Sequence, residues 1–292
     1  MLGGIYALFA VGLSLALGVF RILNLAHGAT LSVSAIFGIE VAIRVHIGLF
    51  PLLVVGAAAG AVLGLILEFG AFRWIRRDRR RSEESRAWAY LIASLAMLNI
   101  FQGGAQYYTF RIANQTTLSF PFGIAPRSNV TIGAIVIPTM SVVMFGTGLA
   151  LALATWWVIA HTQAGRAARA VAADPEAAGM IGINVQRAAA IVLGASSAMA
   201  GITGTLVGVA FGTMDFTTGS SYLLKGIAVV VIGGLGSIIG TLIGGLLLGV
   251  VGGLTVYFIG SAWVDVCVFG LLVLVLLARP QGLFGRAAVD RA

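Results

Sequence analysis

Charged residues are scarce in this chain of 292 residues: they make up 10% of the sequence, whereas hydrophobic residues make up 59%. The mean hydropathy is +1.03, and soluble domains carry about 25% charged residues. This composition excludes an ordinary soluble domain and indicates an integral membrane protein with several spans. Because no low-complexity linker or fixed-period repeat divides the chain, we expect residues 1–292 to form a single membrane domain.

Cysteine and histidine are also rare. The single cysteine, Cys267, excludes an intrachain disulfide, and three scattered histidines (His27, His46 and His161) do not predict a metal site. The chain lacks the G-x-x-x-x-G-K-[ST] loop of Walker-type ATPases, and no catalytic triad or paired carboxylates stand out. We therefore predict a protein that is not an enzyme and carries no cofactor. Any energy from ATP must come from another subunit.

Long apolar runs take the place of polar sequence. A membrane helix needs about 17–25 mainly apolar residues, and such runs lie near residues 1–20, 28–44, 49–72, 86–104, 132–160, 188–211, 238–258 and 262–278, with a shorter run at 223–234. The predicted fold class is all-α: a polytopic membrane protein with about eight transmembrane helices and one short or broken helix.

The cations report the orientation of these spans, because loops rich in Lys and Arg stay in the cytoplasm. Thirteen of the eighteen cations fall in two loops and the C-terminal tail: Arg73, Arg76, Arg77, Arg79, Arg80, Arg81, Arg86, Arg166, Arg169, Arg187, Arg279, Arg286 and Arg291. We expect these segments on the cytoplasmic side, together with Arg21 to His27. Met1 and the polar, charge-poor stretch 103–131 then face outward. The number of crossings between Arg187 and Arg279 must be even, which requires residues 223–234 either to cross as a short span or to be paired as a re-entrant element. We favour a short, broken span.

A polar island at residues 165–187 separates two apolar runs and contains the sequence D-P-E-A-A-G-M-I-G. Asp174 is a suitable N-cap, Pro175 suits the first helical position, and Glu176 complements the positive end of the helix dipole. Gly182 is a natural stop. We predict a two-turn helix at the membrane surface in which Ala177 and Ala178 keep the profile thin. Met180, Ile181 and Ile183 supply an apolar face for a partner.

Glycine is abundant, at 40 residues. Small residues three or four positions apart let membrane helices approach closely, which is one explanation for the run Gly233, Gly234, Gly236 and Ser237. The alternative is a helix break, which is tolerated at membrane depth only where protein or a water-filled cavity satisfies the backbone.

Several polar residues in the spans are candidates for a translocation path: Asn24, His27, Ser94, Asn99, Ser196, Ser197 and Thr203. For Asn24 and His27 the alternative role is to cap a helix junction, and for the hydroxyl residues it is to bond neighbouring helices. Glu40 and Arg44 are spaced for an exposed ion pair. Glu68 is expected to reach toward the basic loop, and Asp215 and Lys225 to meet an extracytoplasmic partner or each other.

The residues Glu176-Ala177-Ala178 followed by Gly182 match the loop by which ABC-transporter permeases dock on their ATPases. Further blocks occur in the order of one family: Tyr6-Ala7-Leu8, Gly12, Asn24-Leu25-Ala26-His27-Gly28, Asp174 to Ala178, Gly182-Ile183-Asn184, Ala200-Gly201, Gly233 to Ser237 and Arg279 to Gly285. Over nearly its whole length the chain resembles a branched-chain amino acid ABC importer permease of the LivH type. It departs from that pattern at Phe72-Arg73-Trp74 and in lacking a short N-terminal stretch, which leaves the start site open.

The resemblance implies a multi-pass protein of the bacterial inner membrane. It also implies a second permease subunit of the M type, two cytoplasmic ABC ATPases that use the ATP, and an extracytoplasmic solute-binding protein. The segment Asp174 to Ile183 would couple this chain to the ATPases. Urea, short amides and other amino acids remain alternative substrates. An ion-coupled secondary transporter using a carboxylate such as Glu40 remains an alternative mechanism.

Overall fold

The computed structural model describes residues 1–20, 23–78, 82–121, 123–126, 128–132 and 135–285. Its helices are α1 (Leu2–Phe20), α2 (Ala26–Val45), α3 (Leu49–Leu67), α4 (Arg73–Arg77), α5 (Glu83–Tyr107), α6 (Thr139–His161), α7 (Gln163–Ala173), α8 (Pro175–Met180), α9 (Val185–Phe211), α10 (Thr218–Gly233), α11 (Ile238–Phe258) and α12 (Val264–Ala278). A π-helical turn, Glu68–Phe72, joins α3 to α4, and another, Tyr108–Ile112, extends α5. The 3-10 turn Ser261–Trp263 precedes α12.

Four short strands form two antiparallel pairs at the ends of helices. Strand β1 (Leu118–Ser119) pairs with β4 (Thr213–Met214), and β2 (Asn129–Ile132) pairs with β3 (Ile135–Pro138). The β2–β3 pair corrects the predicted span 132–160, because α6 begins only at Thr139. Residues 135–137 are β-branched, which favours an extended backbone, and Pro138 has no amide hydrogen to donate within a helix.

Seven of the described helical segments are long and apolar enough to cross a membrane, and these are Leu2–Val19, Ala26–Val45, Leu49–Arg77, Thr139–His161, Val185–Phe211, Ile238–Phe258 and Ser261–Ala278. Helix α10 is apolar but has 16 residues, as expected of the short span. Helix α5 reaches 25 residues, but amide and charged side chains leave it less apolar than the seven. The all-α, polytopic fold class is confirmed.

Helix α1 lies at the centre of the bundle, since 83% of its span is buried, whereas α12 lies at the edge with 6% buried. Small residues bring α1 against α11: a β-carbon at Gly249 would overlap the backbone of Gly3, and one at Gly245 would lie 2.5 Å from the Cα of Ala7. This close approach of two backbones is expected in a membrane. The hydrophobic effect does not drive helices together there, so association depends on close van der Waals packing.

Helices α3 and α9 form a second close pair. A β-carbon at Gly60 would overlap the carbonyl oxygen of Ser197, and one at Gly201 would overlap the carbonyl oxygen of Gly56. Gly64 meets Ser197 as well, so that contacts between the two backbones recur over three turns. The two helices therefore interlock along much of their length.

Candidate coupling segment and polar interior

Helix α7 fixes the coupling segment to the bundle. The Thr162 hydroxyl caps α7 by accepting a hydrogen bond from the Gly165 N–H at 3.1 Å. The buried face of α7 carries Ala168, which packs with Leu15 of α1 and Val192 of α9. The segment is thus anchored to two long helices of the core.

Helix α8 follows directly, and its local geometry is the one that the sequence predicts. One carboxylate oxygen of Asp174 accepts hydrogen bonds from the backbone N–H groups of Glu176 (2.8 Å) and Ala177 (3.0 Å). Pro175 occupies the first turn, and the helix ends at Met180. Gly182 then adopts φ = 86°, a left-handed conformation that glycine reaches without steric cost. Asn184 caps α9 through the Arg187 N–H at 3.0 Å.

The two faces of this segment differ sharply in exposure. Met180 is 83% exposed and Ile181 is 75% exposed, and Glu176 is exposed as well. Ala178 instead is buried and packs with Val171 of α7 and Ala188 of α9. The small side chain of Ala178 therefore allows α8 to pack closely against α7 and α9. The apolar tip formed by Met180 and Ile181 remains exposed.

A buried polar cluster joins the basic segment to this region. Glu68, in the π-turn after α3, is fully buried and forms an ion pair with Arg76 of α4. Arg76 also donates to the side-chain oxygen of Gln186 in the first turn of α9, at 3.1 and 3.3 Å. The Tyr90 hydroxyl of α5 interacts with Arg76 too. Glu68 turns toward the basic segment as predicted, but no sequence signal identified Gln186, which lies 110 residues from Arg76.

Asn24 and His27 lie at the start of α2 and are both fully buried. The Asn24 side-chain oxygen accepts from the Ala26 N–H at 3.1 Å. The His27 ring packs on the Phe9 ring at 4.7 Å, with Nε2 lying 3.3 Å from the Phe9 carbonyl oxygen. Because Phe9 is in the middle of α1, α2 begins inside the bundle. The sequence had placed the junction between α1 and α2 at the cytoplasmic surface. Arg21 lies outside the described residues.

The hydroxyl candidates Ser94, Ser196, Ser197 and Thr203 are all buried. Ser196 donates to the Gly12 carbonyl of α1 at 2.7 Å, Thr203 donates to Met199 within α9, and Ser197 is buried against α3. Ser94 donates to the Leu91 carbonyl at 2.9 Å. Asn99 differs because it is exposed, with one contact to the Leu95 carbonyl at 2.8 Å. A groove of about 310 Å³ between α2 and α5 is lined by other residues, among them Glu40 and Tyr108.

The glycine run forms a break between α10 and α11, which is one of the two interpretations that its sequence left open. Gly234 and Gly236 have φ of 100° and 78°, and the Ser237 hydroxyl accepts from the Gly240 N–H at 3.1 Å to cap α11. The Leu283 and Phe284 N–H groups donate to the carbonyls of Ile232 (2.8 Å) and Gly233 (3.2 Å). The C-terminal segment thus satisfies carbonyls that the end of α10 leaves unbonded.

Charged side chains outside these clusters also have partners. Glu40 and Arg44 form the expected exposed ion pair at 3.4 Å. Lys225 pairs with Asp265 of α12 at 2.9 Å, so the expectation that it meets Asp215 is wrong. Asp215 instead accepts from Thr217 and Thr218 at the start of α10.

Comparison with known proteins agrees with this architecture. Residues 1–277 match the family described as "Branched-chain amino acid transport system / permease component". The chain is 31% identical to the high-affinity branched-chain amino acid transport system permease protein LivH of Salmonella typhimurium, and 31% identical to BraD of Pseudomonas aeruginosa, over 99% of this chain and 94% of each relative.

Two further similarities cover less of the chain or have a lower sequence identity. The ribose import permease protein RbsC of Escherichia coli is 31% identical over 83% of this chain and 72% of its own length. A solved structure, PsaBC from Streptococcus pneumoniae in complex with Fab, gives a TM-score of 0.47 at 15% identity, over 96% of this chain and 91% of that one. With the match over residues 1–277 and the LivH and BraD similarity over nearly the full length, this chain belongs to the family of permease components of branched-chain amino acid transport systems.

Proposed function

We propose that this chain is the transmembrane permease subunit of an ATP-driven importer for branched-chain amino acids in the bacterial inner membrane. It acts with a second permease subunit of the M type, two cytoplasmic ABC ATPases and an extracytoplasmic solute-binding protein. The ATPases bind and hydrolyse ATP, while this chain carries no cofactor and catalyses no reaction. Two regions of the chain carry this function: the coupling segment around α8, and a translocation path for the substrate along the helix bundle.

The observation that carries this proposal is the apolar tip of α8. Large apolar side chains exposed next to polar residues at the end of a helix pair are typical of a protein-binding surface. Met180 and Ile181 stand free at the tip, and Glu176 adds a charge beside them. A groove on an ATPase would cover the two apolar side chains and hold α8 by its exposed face. The resemblance of Glu176-Ala177-Ala178 and Gly182 to the docking loop of ABC permeases names that partner.

The connection from α8 to the core supplies the mechanism. Helix α8 is joined to α9 by a short capped turn, and α9 is largely buried among α1, α2 and α3. Closure of the ATPases on ATP binding therefore displaces α9 through α8. The bundle responds by moving between outward-open and inward-open packings, which are two discrete arrangements of rigid helices.

The passage follows one face of α5. Ala96, Asn99, Gly103 and Gln106 recur every three or four residues and are exposed, and nothing in the described structure lies within 4 Å of a β-carbon added at Gly103. Amide groups are costly against lipid and favour a protein or water-filled surrounding. We assign this face to the passage between the two permease subunits. The parts that Asn24, His27, Ser94, Ser196, Ser197 and Thr203 play in the path stay predictions.

The substrate class follows from the relatives. LivH and BraD, which cover 99% of this chain, are named for branched-chain amino acids, whereas the ribose permease covers 83%. Leucine, isoleucine and valine are therefore the proposed substrates. The solute-binding protein is expected to make most of the selection.

The test is co-purification of the full chain with its candidate ATPases in nanodiscs, followed by an assay of ATP hydrolysis in the nanodiscs and of leucine uptake in proteoliposomes. We expect wild type to retain the ATPases and Glu176→Lys to lose most of them. Glu84→Lys, which makes the same charge change at an exposed position near the cytoplasmic start of α5, should retain them. Absence of ATPases from the wild-type sample would overturn the proposal and make Glu40 the next residue to test for ion coupling.

A further inference from the structure

The Arg76 side chain contacts Glu68, Tyr90 and Gln186 together. These three partners belong to the end of α3, to α5 and to the first turn of α9. The Glu68 side chain is 1% exposed and that of Arg76 is 11% exposed. A buried charge left without its partner is strongly destabilising, and a buried ion pair is as often a device for holding geometry as a source of stability. This cluster is thus a junction of three helices.

The position of Gln186 gives the junction a role. Gln186 lies two residues after Asn184, the N-cap that ends the coupling segment. Along the chain, a displacement of α8 reaches α9 through this first turn. In this same turn, the Gln186 side chain accepts hydrogen bonds from two N–H groups of the Arg76 guanidinium.

The interlocked helices α3 and α9 extend this junction through the bundle. Gly56, Gly60 and Gly64 of α3 meet the backbone or side chains of Gly201, Ser197 and Leu193 in α9. Such close contacts leave little freedom for sliding, because any shift drives backbone atoms into each other. Helices α3 and α9 then move as one body if their cytoplasmic ends are also fastened.

We propose that Arg76 is a positioning residue that fastens α3 and α5 to α9, so that movement of the coupling segment reaches all three helices. The proposal rests on the proposed function, since it assigns a route to the movement that the ATPases impose. The Gln186 contact is the removable link, because Gln186→Leu breaks it while leaving the Glu68–Arg76 pair intact. Arg76 itself is less suitable for substitution, because its loss would leave the buried Glu68 carboxylate without this ion-pair partner.

The experiment compares leucine uptake per ATP hydrolysed in proteoliposomes containing the full transporter. We expect Gln186→Leu to retain normal insertion and normal recovery of the ATPases. Its uptake per ATP should fall roughly fivefold or more, the lower end of typical coupling between sites. Gln186→Glu, which offers Arg76 a carboxylate oxygen in the same place, should restore the ratio. Gln163→Leu makes the same change at an exposed position of α7 and should match wild type.

The possible outcomes separate this proposal from the one on which it rests. Loss of the ATPases from the wild-type complex contradicts the proposed function, whatever Gln186 does. Normal ATPase recovery with an unchanged uptake-to-hydrolysis ratio in Gln186→Leu overturns the role of Arg76 alone. A proportional fall in uptake and hydrolysis, with no recovery in Gln186→Glu, would show a purely structural contact and overturn it as well.

Discussion

Asp215 shows at the scale of one residue how a carboxylate organises the outer loop. It lies between β4 and α10, outside the spans, and accepts hydrogen bonds from the N–H groups of Thr217 and Thr218 and from the Thr217 hydroxyl. Partial burial by itself would raise the pKa of Asp215, but these hydrogen bonds outweigh it and lower the pKa below its ordinary value.

This pKa shift predicts a loss of stability in acid. A group with a lowered pKa in the folded state stabilises the fold above its ordinary pKa, here 3.8, and loses that contribution as the pH falls through the lower folded value. We expect the melting temperature in detergent to fall below pH 4 less steeply in Asp215→Asn than in wild type. Parallel curves for the two proteins would contradict the assignment.

At the scale of helix pairs, the α3–α9 contact leaves no room for a larger side chain. A single methyl group at Gly201 would overlap the Gly56 carbonyl, and overpacking of this kind costs about 1–3 kcal/mol. Gly201→Ala should therefore lower the melting temperature and the yield of folded protein. Gly146→Ala, in α6 with nothing within 4 Å of the added carbon, should be neutral or slightly stabilising. Equal melting temperatures for the two variants would show that α3 and α9 do not approach this closely.

Helix α5 offers a prediction about transport. If its exposed amide face borders the passage, Asn99→Leu should reduce leucine uptake severalfold while ATPase recovery stays normal. Ile100→Leu, at the neighbouring exposed but apolar position, should have no effect. Normal uptake by Asn99→Leu would place this face of α5 against something other than the passage.

What sequence reasoning can reach is decided by the range of each interaction. The cap at Asp174, the stop at Gly182 and the break at Gly234 depend on neighbours within a few residues, and all three have the predicted geometry. The limits of α6 were missed because a β-branched, apolar hairpin has the same hydropathy as the start of a span. The junction at Arg76 was out of reach, since a glutamine 110 residues away gives no local pattern. Ala178 was correctly placed in the helix, but only packing shows that it faces inward.

For the whole molecule, the distribution of cations predicts which side each loop faces. The Arg76–Gln186 contact already places the first basic segment and the start of α9 at the same end of the bundle, as the charges require. In a Cys267→Ser background, Met180→Cys should react with a membrane-impermeant thiol reagent only from the cytoplasmic side. Ser261→Cys, in the loop before α12, should react only from outside. Labelling of both cysteines from one side would contradict the topology.

The central place of α1 has a consequence for how the protein is made. Helix α1 leaves the ribosome well before its close partners α9 and α11, which lie more than 160 residues further along the chain. At the usual rate of 5–20 residues per second, α1 waits for roughly tens of seconds before α11 exists. During that time the face carrying Gly3 and Ala7 must rest against lipid or the insertion machinery. Assembly of this bundle is therefore completed after insertion, and α1 is enclosed long after it is made.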